Sequence, residues 1–313
     1  MLTVLMATHN GAGTLPRVLA AYRALQPPPG GYRLLVVNNA STDTTAAVLR
    51  DQATDLPLQV LHCPERGKNR ALNQGLSAIQ GDLVVFSDDD TLPQSDWLTQ
   101  LARSAVTHSG YDLFGGHIVA DWPGACPPWI PRLVNLAATY GITPTSQAAG
   151  PVPAERIWGG NMAVRRCVFE AGYRFNEEIG PAAGQYIMGS ETEFSGRIEK
   201  VGRKAWFVAD AVVRHIIRPQ QMDPEWIIQR AYRLGRGWYR HERTLFTPDL
   251  AMIRGVPRWK YREWAAHGLD LLRGRLTGNF DRKFKARWNL SLMRGYFDEA
   301  ALCQRAPSAN TPS

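Results

Sequence analysis

Four short and almost wholly apolar runs pace the first ninety residues: Leu2–Ala7, Leu34–Val37, Leu58–Leu61 and Leu83–Phe86. A strand with one wet face alternates polar and apolar residues, so strands apolar throughout have both faces covered. Helical spacing fills the gaps. Leu15, Val18, Leu19 and Tyr22 recur within Thr14–Leu25, and a second helix is expected over Asp43–Arg50. Leu72, Leu76 and Ile79 share a face within Arg70–Ile79, and Trp97–Val106 follows the fourth run. Strands alternating with helices in this way predict an α/β fold, a Rossmann-like and mostly parallel sheet flanked by helices. In such sheets ligands bind beyond the carboxyl ends of the strands. The polar residues there are Thr8-His9-Asn10, Asn38-Asn39 and Ser87-Asp88-Asp89-Asp90.

Beyond Trp122 the pattern weakens. The stretch to Arg156 is rich in Pro, Gly and Ala and reads as long loops with short helices, a candidate flap. Ala205–Ile217 returns to strand character, and helical spacing resumes after Asp223 through Trp226, Ile227, Arg230 and Leu234. Apolar stretches stop short of the roughly 20 residues that a bilayer span needs. The N-terminus reads as a strand rather than a signal peptide, which predicts a cytoplasmic protein. Charge is unevenly placed: residues 214–297 hold 18 Lys and Arg against 7 Asp and Glu, and the rest of the chain is slightly acidic. A basic region of that kind favours anionic partners. The segments Pro257–Trp264 and Phe280–Trp288 set Trp among Arg and Lys, as short interfacial helices do. They predict a peripheral attachment to an anionic membrane surface on its cytosolic face, or else helices docked on the rest of the protein.

The acidic triplet is the sharpest chemical signal. Adjacent carboxylates repel one another unless a cation or solvent offsets them. If the strand continues, Asp88 and Asp90 point the same way and both reach one hard cation, Mg²⁺ or Mn²⁺, bridged to a diphosphate. The bland alternative, a solvated turn capping the next helix, is disfavoured directly after four apolar residues. Asn38–Thr44 offers amides and hydroxyls to a nucleobase or ribose, although Ser41 or Thr42 can equally cap the following helix. Arg66–Asn73 places cations at a helix start, which suits a phosphate. Ser190 and Glu193 have capping-box spacing, putting Glu191 in the first turn of a helix. There it is either a general base or a complement to the helix dipole. His215, after a strand, is either a metal ligand or an ordinary hydrogen-bonded residue.

In order along residues 1–218, these motifs resemble family 2 of the inverting glycosyltransferases, with the GT-A fold. The likeness rests on Ala7–Asn10, Asn38–Asp43, Asp88–Asp90 followed by Pro93 and Asp96-Trp97, Trp158–Arg166, and Phe175–Gly180. The resemblance implies Asp88, Asp90 and His215 for Mn²⁺ or Mg²⁺, and Glu191 as the base. It also implies a donor side of Thr8, Asn10, Asn38, Asp43, Lys68, Asn73, Asp88 and Asp89. The acceptor side would be Trp158, Gly159, Gly160 and Asn161. Two departures stand out: Asn38 replaces the family's nucleobase-contacting Asp, and Ser190-Glu191 replaces its Glu-Asp pair. A processive Gln-x-x-Arg-Trp motif is not evident in Gln229–Arg233, which implies addition of one sugar. The donor expected is a nucleotide sugar, UDP- before GDP- or dTDP-linked, and the acceptor a hydroxyl on a saccharide, lipid-linked or small molecule. No nucleic-acid partner is expected.

The domain organisation expected is a catalytic part over 1–218, divided near 120 into donor and acceptor halves. A basic helical region over 219–304 and a frayed tail over 305–313 follow. Two rivals remain. A haloacid-dehalogenase-like phosphatase would use Asp88 and Asp90 but wants Thr or Val where Leu92 stands. A non-enzymatic binder of nucleic acid or anionic surfaces leaves the acidic triplet unexplained.

Overall fold

The computed structural model describes residues 1–52, 54–182 and 185–305. The main strands and helices of these residues run in the following order. They are β1 (Leu2–Thr8), α1 (Leu15–Arg23), β2 (Tyr32–Asn39), α2 (Thr45–Asp51), β3 (Leu58–Cys63), α3 (Lys68–Gly75), β4 (Leu83–Asp88), β5 (Thr91–Pro93), α4 (Trp97–Thr107) and β6 (Leu113–Asp121). Next come α5 (Trp129–Leu133), α6 (Leu136–Tyr140), β7 (Gly150–Val152), β8 (Met162–Arg165), α7 (Arg166–Glu170), β9 (Gly180–Ala182), β10 (Gln185–Ile187), α8 (Ser190–Glu199), β11 (Ala205–Ile216), α9 (Pro224–Glu242), α10 (Arg258–Leu276) and α11 (Phe280–Arg305). A two-residue hairpin, Met252–Ile253 with Val256–Pro257, precedes α10.

The main sheet has the order β3-β2-β1-β4-β8-β6-β11-β5, with β7 also on β11. β1 to β4 are parallel, as are β6 and β11, while β8 runs antiparallel between β4 and β6. Successive side chains of a strand face opposite sides, and the core splits accordingly. Val4, Met6 and Val85 meet α1 and α4 through Leu15, Leu19, Trp97 and Leu101. Leu5, Val84 and Phe86 meet α3, α7 and α8 through Leu72, Phe169, Phe194 and Ile198. The expected α/β fold, a mostly parallel sheet flanked by helices, is therefore present. The antiparallel β8 and the long β6 fall where the sequence carries no clear strand pattern.

Contacts divide the chain into two compact units: Met1–Ala125 with Leu136–Tyr186 and Ser190–Ile217, and Cys126–Asn135 with Ile187–Gly189 and Arg218 to the C-terminus. In the second unit the basic segments form long helices, α10 and α11, rather than the short ones expected. Asp223 caps α9, accepting from the Glu225 and Trp226 amides at 2.7 and 3.4 Å. The unit is pinned by Glu299, which is buried and paired with Arg236 and Arg240 at 2.6 and 2.7 Å. Asp281 pairs with Arg132, tying α11 to α5. Among the described residues, no helix is long and apolar enough to cross a membrane. Residues 306–313, most of the expected tail, lie outside the described residues.

Candidate functional site

Register places the strand-end residues side by side. Thr8 lies beside Asn38, and Ala7 beside Asp88. The strand does not continue through the acidic triplet. The chain turns at Asp89 and Asp90 and leaves as β5, which pairs antiparallel with β11 so that Thr91 faces His215. Asp88 is therefore offered by the end of β4 and Asp90 by the turn, not by one strand face, and their neighbours differ. The turn is fixed by Thr91, whose hydroxyl accepts from the Asp88 amide at 3.2 Å and donates to its carbonyl at 2.9 Å. The Thr8 hydroxyl donates to Asp89 at 2.5 Å, holding the middle carboxylate against β1.

Asp88 faces the cation of Lys68 at 2.7 Å, and the same Nζ lies 3.0 Å from Glu191 Oε1. Burial alone would favour a neutral lysine, but the two carboxylates outweigh it and raise the Lys68 pKa well above the ordinary value. Lys68 opens α3, two residues earlier than the helix expected from Arg70. That start is built from Asn39, which is buried. Its amide donates to the Glu65 carbonyl at 2.6 Å, and its Oδ1 accepts from the Gly67 amide at 2.7 Å. Glu191 is fixed from the same helix. Asn69 accepts from the Ser190 hydroxyl at 2.6 Å and donates to the Asn176 and Ile179 carbonyls. The expected capping box is not formed, because Ser190 is engaged by Asn69 while Glu193 pairs with Arg197 at 2.9 Å. Gly159 packs directly under Glu191; a Cβ there would sit 2.4 Å from Oε1. Lys68, Asp88, Gly159 and Glu191 line one cleft together with Phe86, Met162 and Phe175.

His215 sits on the other side of the turn. Its Nδ1 lies 2.7 Å from the Tyr140 carbonyl, which can only accept, so Nδ1 carries a proton. Its Nε2 lies 3.5 Å from Asp90 Oδ2. Burial favours the neutral ring, but the Asp90 carboxylate outweighs it and raises the His215 pKa. An Nε2 directed at a carboxylate, with Nδ1 held by a carbonyl, is the arrangement a divalent ion finds when it replaces the proton. Carboxylate oxygens with one imidazole suit Mn²⁺, which accepts both donor types. Among the described residues, no three His, Cys, Asp or Glu side chains enclose a metal by themselves. A divalent ion there would draw on Asp90 and His215 and take its remaining ligands from elsewhere.

Several residues expected to contact ligands also make hydrogen bonds within the protein. Asp43 accepts from the Thr45 amide and hydroxyl at 2.9 and 2.5 Å and from the Ala12 amide at 3.3 Å, so it, not Ser41 or Thr42, serves the start of α2. Burial would raise its pKa, but those hydrogen bonds outweigh it and lower it. Asn10, at φ 55°, accepts from the Thr42 amide at 2.8 Å and so ties the β1 and β2 loops together. Asn73 donates to the Phe175 carbonyl and accepts from its amide. Asn161 is buried in the core. It accepts from Trp97 Nε1 at 2.8 Å and donates to the His117 and Ala211 carbonyls at 3.0 and 2.8 Å. It clamps the segment that carries Gly159 and Gly160. Trp158 is half-buried against the core, with Nε1 donating to the Glu155 carbonyl. Asn38, by contrast, is buried with its Oδ1 unpaired among the described residues. Sequence reading named Asn39 and Asn69 only within their motifs, not as the supports of Gly67 and Ser190, and did not name Tyr140. The Asn residues carried a signal in their place just before or just inside a helix start beside the strand ends; Tyr140 carried none.

Comparison with known proteins then fixes the family. The model described as glycosyl transferase family 2 matches residues 3–170. The chain belongs to this family. Glycosyltransferase AglE of Haloferax volcanii is 25% identical over 239 residues, covering 75% of this chain and 72% of that protein. An uncharacterized glycosyltransferase of Mycobacterium tuberculosis is 33% identical over 140 residues, 45% of this chain and 58% of that protein. Among solved structures, the mannosyltransferase PcManGT of Pyrobaculum calidifontis, in complex with GDP-Man and Mn²⁺, superposes with TM-score 0.61 at 21% identity over 96% of this chain and 85% of that one. TarS 1–349 of S. aureus, in complex with UDP-GlcNAc, gives TM-score 0.55 at 15% identity over 95% and 91%. These two share the GT-A fold with this family 2 enzyme, a glycosyltransferase.

Proposed function

We propose that the protein is a metal-dependent, inverting glycosyltransferase that moves one sugar from a nucleotide-sugar donor to an acceptor hydroxyl. The observation that carries this reading is the single cation of Lys68 shared by Asp88 and Glu191. It brings the strand-end carboxylate and the helix carboxylate to one cleft, as a displacement with a base on one side and a departing diphosphate on the other requires. Asp90 and His215, with Asp88, would hold Mn²⁺ or Mg²⁺, and the metal when bound offsets charge on the leaving diphosphate. Structural neighbours carrying Mn²⁺ with GDP-Man, and UDP-GlcNAc, support donor and ion of these classes.

Glu191 accepts the proton of the acceptor hydroxyl. The oxygen attacks the anomeric carbon on the face opposite the nucleotide, the carbon–oxygen bond to the phosphate breaks, and the configuration inverts. Lys68, whose charge is held by Asp88 and Glu191, would offer that charge to a donor phosphate oxygen. Asn38 Oδ1, near the end of β2, has no hydrogen-bond partner among the described residues, and a nucleobase N–H of a nucleoside-linked donor would satisfy it. The test is release of nucleoside diphosphate from UDP-, GDP- and dTDP-sugars, with Mn²⁺ and after chelation, by the native protein, Glu191→Gln and Asp90→Asn. Near-normal turnover in both variants, or undiminished turnover after chelation, refutes the assignment.

A further inference from the structure

The basic C-terminal third is not absorbed by this chemistry, and α10 shows where its use lies. The helix buries only Lys260 and Gly274 fully. Its inner face is spent within its own unit: Lys260 lies 4.4 and 4.7 Å from the Trp259 and Tyr296 rings, His267 Nδ1 is 3.4 Å from Asn289, and Gly274 abuts the Lys283 backbone. The opposite face is apolar and exposed. Ala265, Leu269, Leu272 and Leu276 recur at helical spacing on one side, and the three leucines are 55, 53 and 78% exposed. Arg258 and Arg262 continue that face toward the N-terminus, Arg273 and Arg275 flank the leucines, and all four are exposed. Trp264, 48% exposed, lies along its border. The acidic residues of the helix stand aside from the stripe: Asp270 pairs with Arg273 at 3.8 Å, and Glu263 lies toward the inner edge.

We propose that the outer face of α10 is a membrane-docking surface. It lies in the plane of an anionic phospholipid leaflet, with Leu269, Leu272 and Leu276 among the acyl chains and the flanking arginines at the phosphate head groups. Two properties favour this occupant over a second copy of the chain. The stripe is about 16 Å long and one helix wide, far less than the ~800 Å² per partner of a stable dimer. Two copies meeting through it would also bring their arginines together, whereas anionic head groups neutralise them. The inference stands apart from the glycosyltransfer reading and is measured separately from it.

The test is flotation of the full chain with vesicles of phosphatidylcholine alone and of phosphatidylcholine with phosphatidylglycerol. The native protein is expected to float with the anionic vesicles only, and less at high salt. Leu272→Glu with Leu276→Glu is expected to lower the floated fraction about tenfold or more while leaving the unfolding temperature unchanged, because both positions are exposed. Nucleotide release measured in vesicle-free buffer is expected to be the same in both proteins. Failure of the native protein to float with anionic vesicles overturns the proposal, and so does equal flotation of the double variant. Sedimentation of the native protein as a dimer and of the double variant as a monomer, without lipid, assigns the face to a second copy and overturns it as well.

Discussion

Gly159→Ala is the sharpest probe of the site, because the structure separates its effect on chemistry from its effect on folding. A Cβ at residue 159 would lie 2.4 Å from Glu191 Oε1, 2.6 Å from its Cγ and 2.7 Å from its Cδ, closer than the 3.0 Å below which something must shift. The atoms in the way belong to a flexible side chain, so Glu191 is displaced by about 1 Å while the backbone stays. The protein should remain folded, with an unfolding temperature close to native. Misplacing a reacting group by about 1 Å costs on the order of a hundredfold in rate, near 2.7 kcal/mol of barrier. The expected outcome is a kcat about a hundredfold lower for nucleoside diphosphate release in the presence of acceptor. The control is Gly116→Ala, whose Cβ would fall 1.9 Å from the backbone oxygen of Ala211 at the β11 bulge. That variant should lose stability instead. Glu191→Asp supplies a second check. A shorter side chain escapes part of the clash, so its penalty should be smaller in the Gly159→Ala background than in the native one. A kcat for Gly159→Ala within threefold of native, or an equal Glu191→Asp penalty in both backgrounds, refutes the claim that Gly159 sets the place of the proposed base.

Other perturbations follow from the same geometry. Asn161→Leu leaves the Trp97 N–H and two carbonyls without partners, which should cost about 3 kcal/mol and appear as a fall in the thermal midpoint. Glu299→Ala leaves Arg236 and Arg240 without their shared carboxylate in the second unit. A loss of about 3 kcal/mol by denaturant unfolding is expected, and a change below about 1 kcal/mol counts against the buried pairing. Glu177 is held below the ordinary carboxylate pKa first by its hydrogen bond from Arg70 and then by that from Asn73. A depressed folded-state value stabilises above the unfolded pKa, and that stability is lost as pH falls through the folded value. The native protein should therefore exceed Glu177→Gln in thermal midpoint near neutral pH, with the gap closing below about pH 4, and a gap independent of pH speaks against the pairing.

Much of the fold was legible because its signals are local. Val4, Val36 and Val85 stand in runs that are apolar on both faces, and that pattern is produced only by a sheet covered twice. The strand-end positions of Thr8, Asn38 and Asp88 followed from the same reading. β8 was missed for a physical reason. Met162–Arg165 is four residues long and directly follows Gly159-Gly160-Asn161, so it has no period of its own and gains its place by pairing with β4 and β6. β6 was missed because Gly115 and Gly116 interrupt its apolar run. Those glycines are required by the close approach of the Asn161 and Ala211 backbones, which no local pattern records.

The candidate site divides along the same line. Asp88, Asp90, Glu191 and His215 could be singled out as candidates because ionisable groups at element ends are costly without a task, and the family motifs point to the same positions. Their supports are not recognisable. Asparagine looks the same in sequence whether it faces a ligand or ties two segments; here Asn10, Asn69 and Asn73 tie loops, and Asn161 ties a helix to two strands. The difference lies in burial and in long-range partners. Asn69 reaches Ser190 across 121 positions of sequence, and Lys68 reaches Glu191 across 123. The short helix α3 therefore does two jobs at adjacent residues, with Lys68 bridging the two carboxylates and Asn69 fixing the helix that carries one of them. A change at Asn69 should accordingly alter turnover by moving Glu191, although Asn69 touches no reacting atom. That coupling is the part of the site which only the folded chain displays.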